Sequence, residues 1–154
     1  MSLGLYLHIP YCFSKCRYCD FYSHPGERGV PEAYVDALVR ELSRFAPEAP
    51  LQPDTLYFGG GTPSLLRPEQ AKRLIDAARP MPGAEITLEA NPETVTEESL
   101  AGFREAGVNR ISFGVQSARD TQLRTLGRPH TAKQARAAFA AARRAGFANI
   151  SGDI

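Results

Sequence analysis

Five short apolar runs, beginning near residues 3, 55, 85, 110 and 148, alternate with helical patterns along the whole chain. Leu3 to Ile9 reads as a buried strand ended by Pro10. Thr55–Phe58 runs straight into Gly59-Gly60-Gly61, Glu85–Glu89 ends at Asn91-Pro92, Arg110–Gly114 leads into Val115-Gln116-Ser117, and Phe147–Ile154 opens a fifth strand. Between them, Val35, Leu38, Leu42 and Phe45 recur at three- and four-residue steps, with Pro31 suited to a first helical turn and Pro47 and Pro50 as the stop. Ala71, Leu74, Ile75 and Ala78 share one face of a helix from about Pro68 to Arg79. Thr96 is placed to cap a third helix, with Glu97 and Glu98 at the positive end of its dipole and Gly107 at its end. A short helix is expected over Asp120–Leu126, and Thr131 with Gln134 makes a capping box for an alanine-rich helix ending at Gly146.

Strand and helix alternate at spacings that suit βαβ units of roughly 30 residues or more. That order predicts an α/β fold with a parallel sheet and right-handed crossovers. Two closures fit: an open doubly wound sheet, or part of a (β/α) barrel. A complete barrel needs about 200 residues or more, and the sequence stops in its fifth strand. The expectation is therefore a single incomplete barrel-like domain over residues 1–154.

Composition narrows the functional classes. Apolar residues make up 43% of the chain, enough for a core, and 18 Lys and Arg against 17 Asp and Glu make no case for nucleic acid or an anionic membrane. No segment approaches the ~18 uninterrupted apolar residues of a membrane span. MSLGLYLHIP has no basic n-region, so no signal peptide is expected. Free clustered thiols suit a reducing compartment, so the expected location is the cytoplasm.

Those thiols are Cys12, Cys16 and Cys19, the only three cysteines present, spaced C-x-x-x-C-x-x-C directly after the first strand. An odd count argues against a disulfide framework and for a metal site. A zinc site of three Cys with His8 or His24 is one reading, although the second ligand pair usual for structural zinc is missing. An iron–sulfur cluster explains the spacing better. A [4Fe–4S] cube normally takes four thiolates, so three leave one iron open to a small molecule. The other polar features also fall just past strand ends: the three glycines after the second strand, Glu89 and Asn91 at the third, Gln116 after the fourth, Asp153 at the fifth. In a parallel sheet these ends lie on one rim, where α/β proteins place ligands. Singly, each has an ordinary reading: a tight turn for the glycines, a helix cap or a solvated side chain for Glu89, Gln116, Arg128 and Asp153. Together, carboxylates suit ribose hydroxyls, a guanidinium suits a carboxylate, and exposed glycine backbone permits close approach. His8 reads as a satisfied core histidine, and His24 and His130 as loop residues.

The cysteine motif resembles the signature of the radical S-adenosylmethionine (SAM) superfamily. YLHIPYCFSKCRYCDF, YFGGGTPSLL, LEANPETVT, NRISFGVQS and LGRPHTAKQA together resemble the group within it that contains oxygen-independent coproporphyrinogen III oxidase and the HemW-type heme chaperones. The resemblance implies the N-terminal portion of a partial (β/α)6 TIM-like barrel. It implies a [4Fe–4S] cluster on Cys12, Cys16 and Cys19, with the methionine amino and carboxylate groups of SAM on the open iron. By the same resemblance Tyr6, Tyr18, Gly60, Gly61, Thr62, Glu89, Gln116, Arg128 and Asp153 fall on SAM-contacting positions. Reductive cleavage of SAM to methionine and a 5′-deoxyadenosyl radical is the family's chemistry. One departure separates the two kinds of relative. The oxidase group carries a further cysteine two residues after the third, where this chain has Phe21; it also has a longer arm before its first strand. Both differences favour a heme chaperone, with heme as cargo, a heme-accepting apoprotein and a cluster reductant as partners, and a heme-binding motif in a C-terminal region absent here. The alternative is the oxidase, an anaerobic decarboxylase of porphyrin metabolism.

Overall fold

The computed structural model describes residues 2–26, 28–45 and 52–154. In chain order its elements are β1 (Gly4–Ile9), β2 (Tyr11–Cys12), β3 (His24–Pro25), α1 (Glu32–Phe45), β4 (Thr55–Gly60), α2 (Pro68–Ala78), β5 (Glu85–Ala90), α3 (Glu97–Ala106), β6 (Arg110–Gly114), α4 (Asp120–Leu126), α5 (Ala132–Arg144) and β7 (Asn149–Asp153). Single 3-10 turns occupy Pro63–Leu65 and Pro92–Thr94. The expected helix stops Pro47 and Pro50 lie outside the described residues.

The main sheet is parallel throughout, in the order β1-β4-β5-β6-β7. Each strand lies beside its predecessor and the order never reverses. A doubly wound sheet has a reversal, and the ligand cleft forms at it. With right-handed crossovers and no reversal, successive helices fall on one face. Accordingly α1 packs on α2, α2 on α3 and α3 on α5. The architecture is an arc of a (β/α) barrel, with β1 and β7 as its two edges.

Only one face of this arc is apolar. Leu7, Phe58, Leu88, Ile111 and Ile150 fall in register as a row across all five strands. With Val35, Leu42, Leu74, Leu100, Phe103, Ala138 and Ala142 from the helices they form the core. The intervening residues Tyr6, Tyr57, Thr87, Arg110 and Asn149 form a second row on the opposite face. The strands thus alternate, including Leu3–Ile9, which the sequence pattern pointed to as a buried strand. Tyr6 is 53% exposed, and His8 is half-buried rather than core. The reason is the one-sided helix layer, which leaves the second face for polar groups. Arg110 Nη1 and Nη2 donate to Thr87 Oγ1 and Ser151 Oγ at 3.2 and 3.1 Å, and the Ser151 and Ser112 hydroxyls lie 3.0 Å apart.

Helix boundaries follow local chemistry. Thr96 and Thr131 accept hydrogen bonds from Ser99 N at 3.1 Å and Gln134 N at 3.2 Å, and Gly107 closes α3 in the left-handed region at φ 114°. Buried Gln70 ties α2 to the segment before α1 by donating to Val30 O at 2.9 Å. No helix among the described residues is long and apolar enough to cross a membrane.

Leu88 is wholly buried at the centre of the apolar row. Leu88→Ala is expected to lower the unfolding free energy by about 2–5 kcal/mol, read as a fall in the urea midpoint with unchanged slope.

Candidate metal and cofactor site

The cysteine loop leaves β1 at Pro10 and is tied down at both ends. β2 pairs with β3 through Tyr11 with His24 and Cys12 with Pro25, and His24 N donates to Pro10 O at 2.6 Å. His24, expected as a loop residue, therefore sits in a short bridge. Farther along, Gly26 N donates to Phe13 O at 3.2 Å and Arg17 N to Leu126 O, the end of α4, at 3.1 Å. Cys12 is buried at the base, while Cys16 and Cys19 are partly open.

Under this loop passes the glycine run. Gly61 N donates to Ile9 O and Thr62 N to Tyr11 O, each at 2.8 Å, so the run adds to the strand from which the cysteines depart. A Cβ on Gly61 would sit 2.6 Å from Tyr11 O and 2.9 Å from Cys12 Sγ. Gly60 has φ 116°, and a Cβ there would meet the His8 ring at 2.7 Å. The run is needed both for its turn and for the close approach. Thr62 Oγ1 lies 3.6 Å from Cys12 Sγ as donor, and itself accepts from Asn91 Nδ2 at 3.2 Å.

The remaining rim groups converge. Glu89 accepts from Tyr57 OH at 2.7 Å through Oε1 and from Gly60 N at 3.3 Å through Oε2, so its carboxylate is oriented from both sides. Burial first, and then the hydrogen bond to Glu89, push the Tyr57 phenol far above its ordinary value, so it stays a donor. Gln116 holds a left-handed backbone, φ 70°, and its N–H donates to Asp153 O at 2.7 Å. Arg128 Nη1 donates to Asn91 Oδ1 at 3.0 Å, and its guanidinium lies 5.9 Å from the Tyr18 ring centroid. Gly114 makes room for this group, because a Cβ there would meet Arg128 Nη2 at 2.7 Å.

These residues enclose a cavity of about 140 Å³. Its walls hold all three cysteines together with Tyr18, Gly60, Gly61, Thr62, Glu89, Gln116, Arg128 and Asp153. Of the nine expected cofactor positions only Tyr6 is outside the lining. It stands behind, its ring 6.1 Å from Tyr57 and its hydroxyl 3.1 Å from His8 Nδ1. The other ring nitrogen of His8 meets Tyr22 O at 3.1 Å, so His8 braces the loop, as a satisfied histidine.

The residues fit a metal cluster with a polar organic ligand. Among the described residues two buried side-chain polar atoms lack partners, Arg128 Nε and Ser23 Oγ, and both residues line this cavity. Unpartnered buried donors are rare and indicate something that completes them. Burial raises the Cys16 thiol, while the Arg128 cation pulls it back down; Cys19, Glu93 and Cys12 raise it further. No three His, Cys, Asp or Glu side chains among the described residues are gathered closely enough for a single ion. In a cubane, by contrast, each thiolate takes a different iron.

Sequence reasoning did not find Tyr57, or the pair His130 and Glu93. Tyr57 was legible in the alternation of T-L-Y-F, had the strand been read as one-sided. His130, expected as an ordinary loop residue, is buried, 3.1 Å from Glu93 Oε2 and 3.0 Å from Val115 O. No local pattern announces such a contact.

Fold and site together define a (β/α)-barrel protein with a three-cysteine loop at the carboxyl ends of its strands. The chain belongs to the radical SAM superfamily, whose family model matches residues 6–154. Membership implies an iron–sulfur cluster and SAM. The chain is 42% identical over 158 residues to the heme chaperone HemW of Escherichia coli (strain K12), covering 99% of this chain and 42% of that protein. It is 40% identical over 156 residues to the heme chaperone HemW of Bacillus subtilis (strain 168), covering 97% and 41%. It is also 40% identical to the bovine radical S-adenosyl methionine domain-containing protein 1, mitochondrial, covering 98% and 35%. Among solved structures, coproporphyrinogen III oxidase (HemN) of Escherichia coli, described as a radical SAM enzyme, matches with a TM-score of 0.87 at 32% identity over 99% of this chain and 36% of that one. The chain spans about two-fifths of the length of the bacterial relatives named here.

Gly61→Ala is expected to push the glycine run away from Tyr11 O and Cys12, and so to cut iron and sulfide uptake on anaerobic reconstitution by at least half. Iron analysis beside circular dichroism checks it, with the helical signal expected to remain.

Proposed function

We propose that the chain is the radical SAM portion of a HemW-type heme chaperone, which binds heme and delivers it to an apoprotein. Cys12, Cys16 and Cys19 hold a [4Fe–4S] cluster, and the cavity beside them takes SAM. Bound there, the pair supplies one-electron chemistry, while the protein contributes orientation and shielding from water. Glu89, aimed by Tyr57 and Gly60 N, and Asp153 offer carboxylates to ribose hydroxyls or to the ammonium group. Arg128 offers a cation to the carboxylate. Gly60, Gly61 and Thr62 form the close-approach wall, with Tyr18 beside Arg128 and Gln116 beside Asp153. Tyr6 acts from behind, through its stack on Tyr57. Heme is cargo, the reductant is a separate partner, and the clustered free thiols favour the cytoplasm.

The observation that carries the chaperone reading is Phe21. It lines the cavity and is 66% exposed, at the position where the oxidase group resembled by this sequence carries a fourth cysteine. The similarity to two proteins named heme chaperone HemW supports the same reading. The oxidase is the second reading, and the TM-score of 0.87 with HemN at 32% identity supports it.

Two experiments test this. In the full-length protein, reconstituted anaerobically, heme is expected to bind and to pass to an apo-acceptor without release of CO2 from coproporphyrinogen III. Stoichiometric CO2 with protoporphyrinogen formation sinks the chaperone reading. Separately, Glu89→Ala and Asp153→Ala are each expected to weaken SAM binding on the order of 10-fold with iron and sulfide retained. Unchanged SAM affinity in both discards the assignment of the rim.

A further inference from the structure

His130 is 2% exposed, outside the cavity lining, and joins three loops at one point. Its Nε2 lies 3.0 Å from Val115 O and its Nδ1 3.1 Å from Glu93 Oε2. Val115 follows β6, Glu93 belongs to the turn Pro92–Thr94 after β5, and His130 itself lies between α4 and α5. A carbonyl oxygen only accepts, so Nε2 donates to Val115. Glu93 faces the other nitrogen, so one further proton, on ring or carboxyl, closes the bridge. In a site this dry each of these bonds is worth more than at the surface.

Every loop so joined carries a rim group next to the junction. Val115 precedes Gln116, whose φ of 70° persists only where the surroundings enforce it. Glu93 stands two residues beyond Asn91, the partner of Arg128 Nη1 at 3.0 Å. His130 stands two residues beyond Arg128, across Pro129, whose ring fixes its backbone. Nothing else described ties these three loops to one side chain.

We infer that His130 is a positioning residue: with Glu93 it sets the spacing of Asn91, Gln116 and Arg128, and so the affinity of the rim for SAM, without touching the cofactor. The inference rests on the reading of the rim as a SAM site. Supporting groups of this kind change affinity on the order of 10- to 100-fold when removed.

The test is SAM affinity at equal cluster content, in anaerobically reconstituted wild type, His130→Ala, Glu93→Ala and Glu93→Gln. His130→Ala and Glu93→Ala are expected to lose on the order of 10-fold or more in SAM affinity with iron and sulfide per chain unchanged. Glu93→Gln is expected to stay near wild type. Its amide donates to Nδ1 while Nε2–H still donates to Val115, a rescue that a mere space-filling role does not predict. If His130→Ala does not fold, Glu93→Ala against Glu93→Gln carries the comparison. Wild-type SAM affinity in His130→Ala or Glu93→Ala overturns the inference. So does loss of cluster and affinity together in both, and so does a Glu93→Gln no better than Glu93→Ala. A cluster-bearing wild type that fails to bind SAM removes the rim reading and the inference with it, and the wild-type arm shows which failed first.

Discussion

The structure depends on one close backbone passage. Gly61 and Thr62 donate to Ile9 O and Tyr11 O at 2.8 Å, holding the end of β4 against the start of the cysteine loop. Only a residue without a side chain fits there, because a Cβ on Gly61 would stand 2.6 Å from Tyr11 O. Through this contact Cys12 is fixed relative to the sheet, and Thr62 carries the connection on to Asn91 and from there to Arg128. A loop that carries metal ligands gains precision from a rigid element beneath it. Here the rigid element is the parallel sheet, reached through the glycine run.

The asymmetry of the sheet explains why the site lies where it does. Because the strand order never reverses, helices cover one face and the apolar row from Leu7 to Ile150 is spent there. The opposite face is left to Tyr57, Thr87, Glu89, Arg110, Ser112 and Ser151, whose hydroxyls, carboxylate and guanidinium satisfy one another. At the carboxyl ends of the strands that polar face meets the cysteine loop. There Arg128 Nε and Ser23 Oγ remain without partners among the described residues. A polar wall with unmatched donors beside three thiols is suited to a charged organic ligand on a metal cluster, and poorly suited to an apolar one.

Much of the fold was legible because its signals are local. Arg110–Gly114 and Asp120–Leu126 are bounded as the sequence indicates, and Thr96 and Thr131 cap as their spacing requires. Eight of the nine cofactor positions implied by the resemblance line one cavity with the three cysteines; the glycines, Glu89, Gln116, Arg128 and Asp153 were also read from a shared rim, whereas Tyr18 and Thr62 came from the resemblance alone. The choice between open sheet and barrel arc was not local: it depends on which strand neighbours which. Tyr57 was hidden because Thr55–Phe58 was read only as a short strand, with no face assigned to its alternate residues. His130 was hidden more deeply, because its partners Glu93 and Val115 lie 37 and 15 residues away in sequence. A polar residue in a loop looks solvated until the fold brings an acceptor to it.

Electron paramagnetic resonance of the anaerobically reconstituted, dithionite-reduced protein, with and without SAM, tests whether Cys12, Cys16 and Cys19 hold a cluster with one iron open to SAM in the adjoining cavity. The expected result is a reduced iron–sulfur signal whose shape changes when SAM is added. A protein that takes up zinc in place of iron and sulfide, or a cluster signal unaltered by saturating SAM, contradicts it.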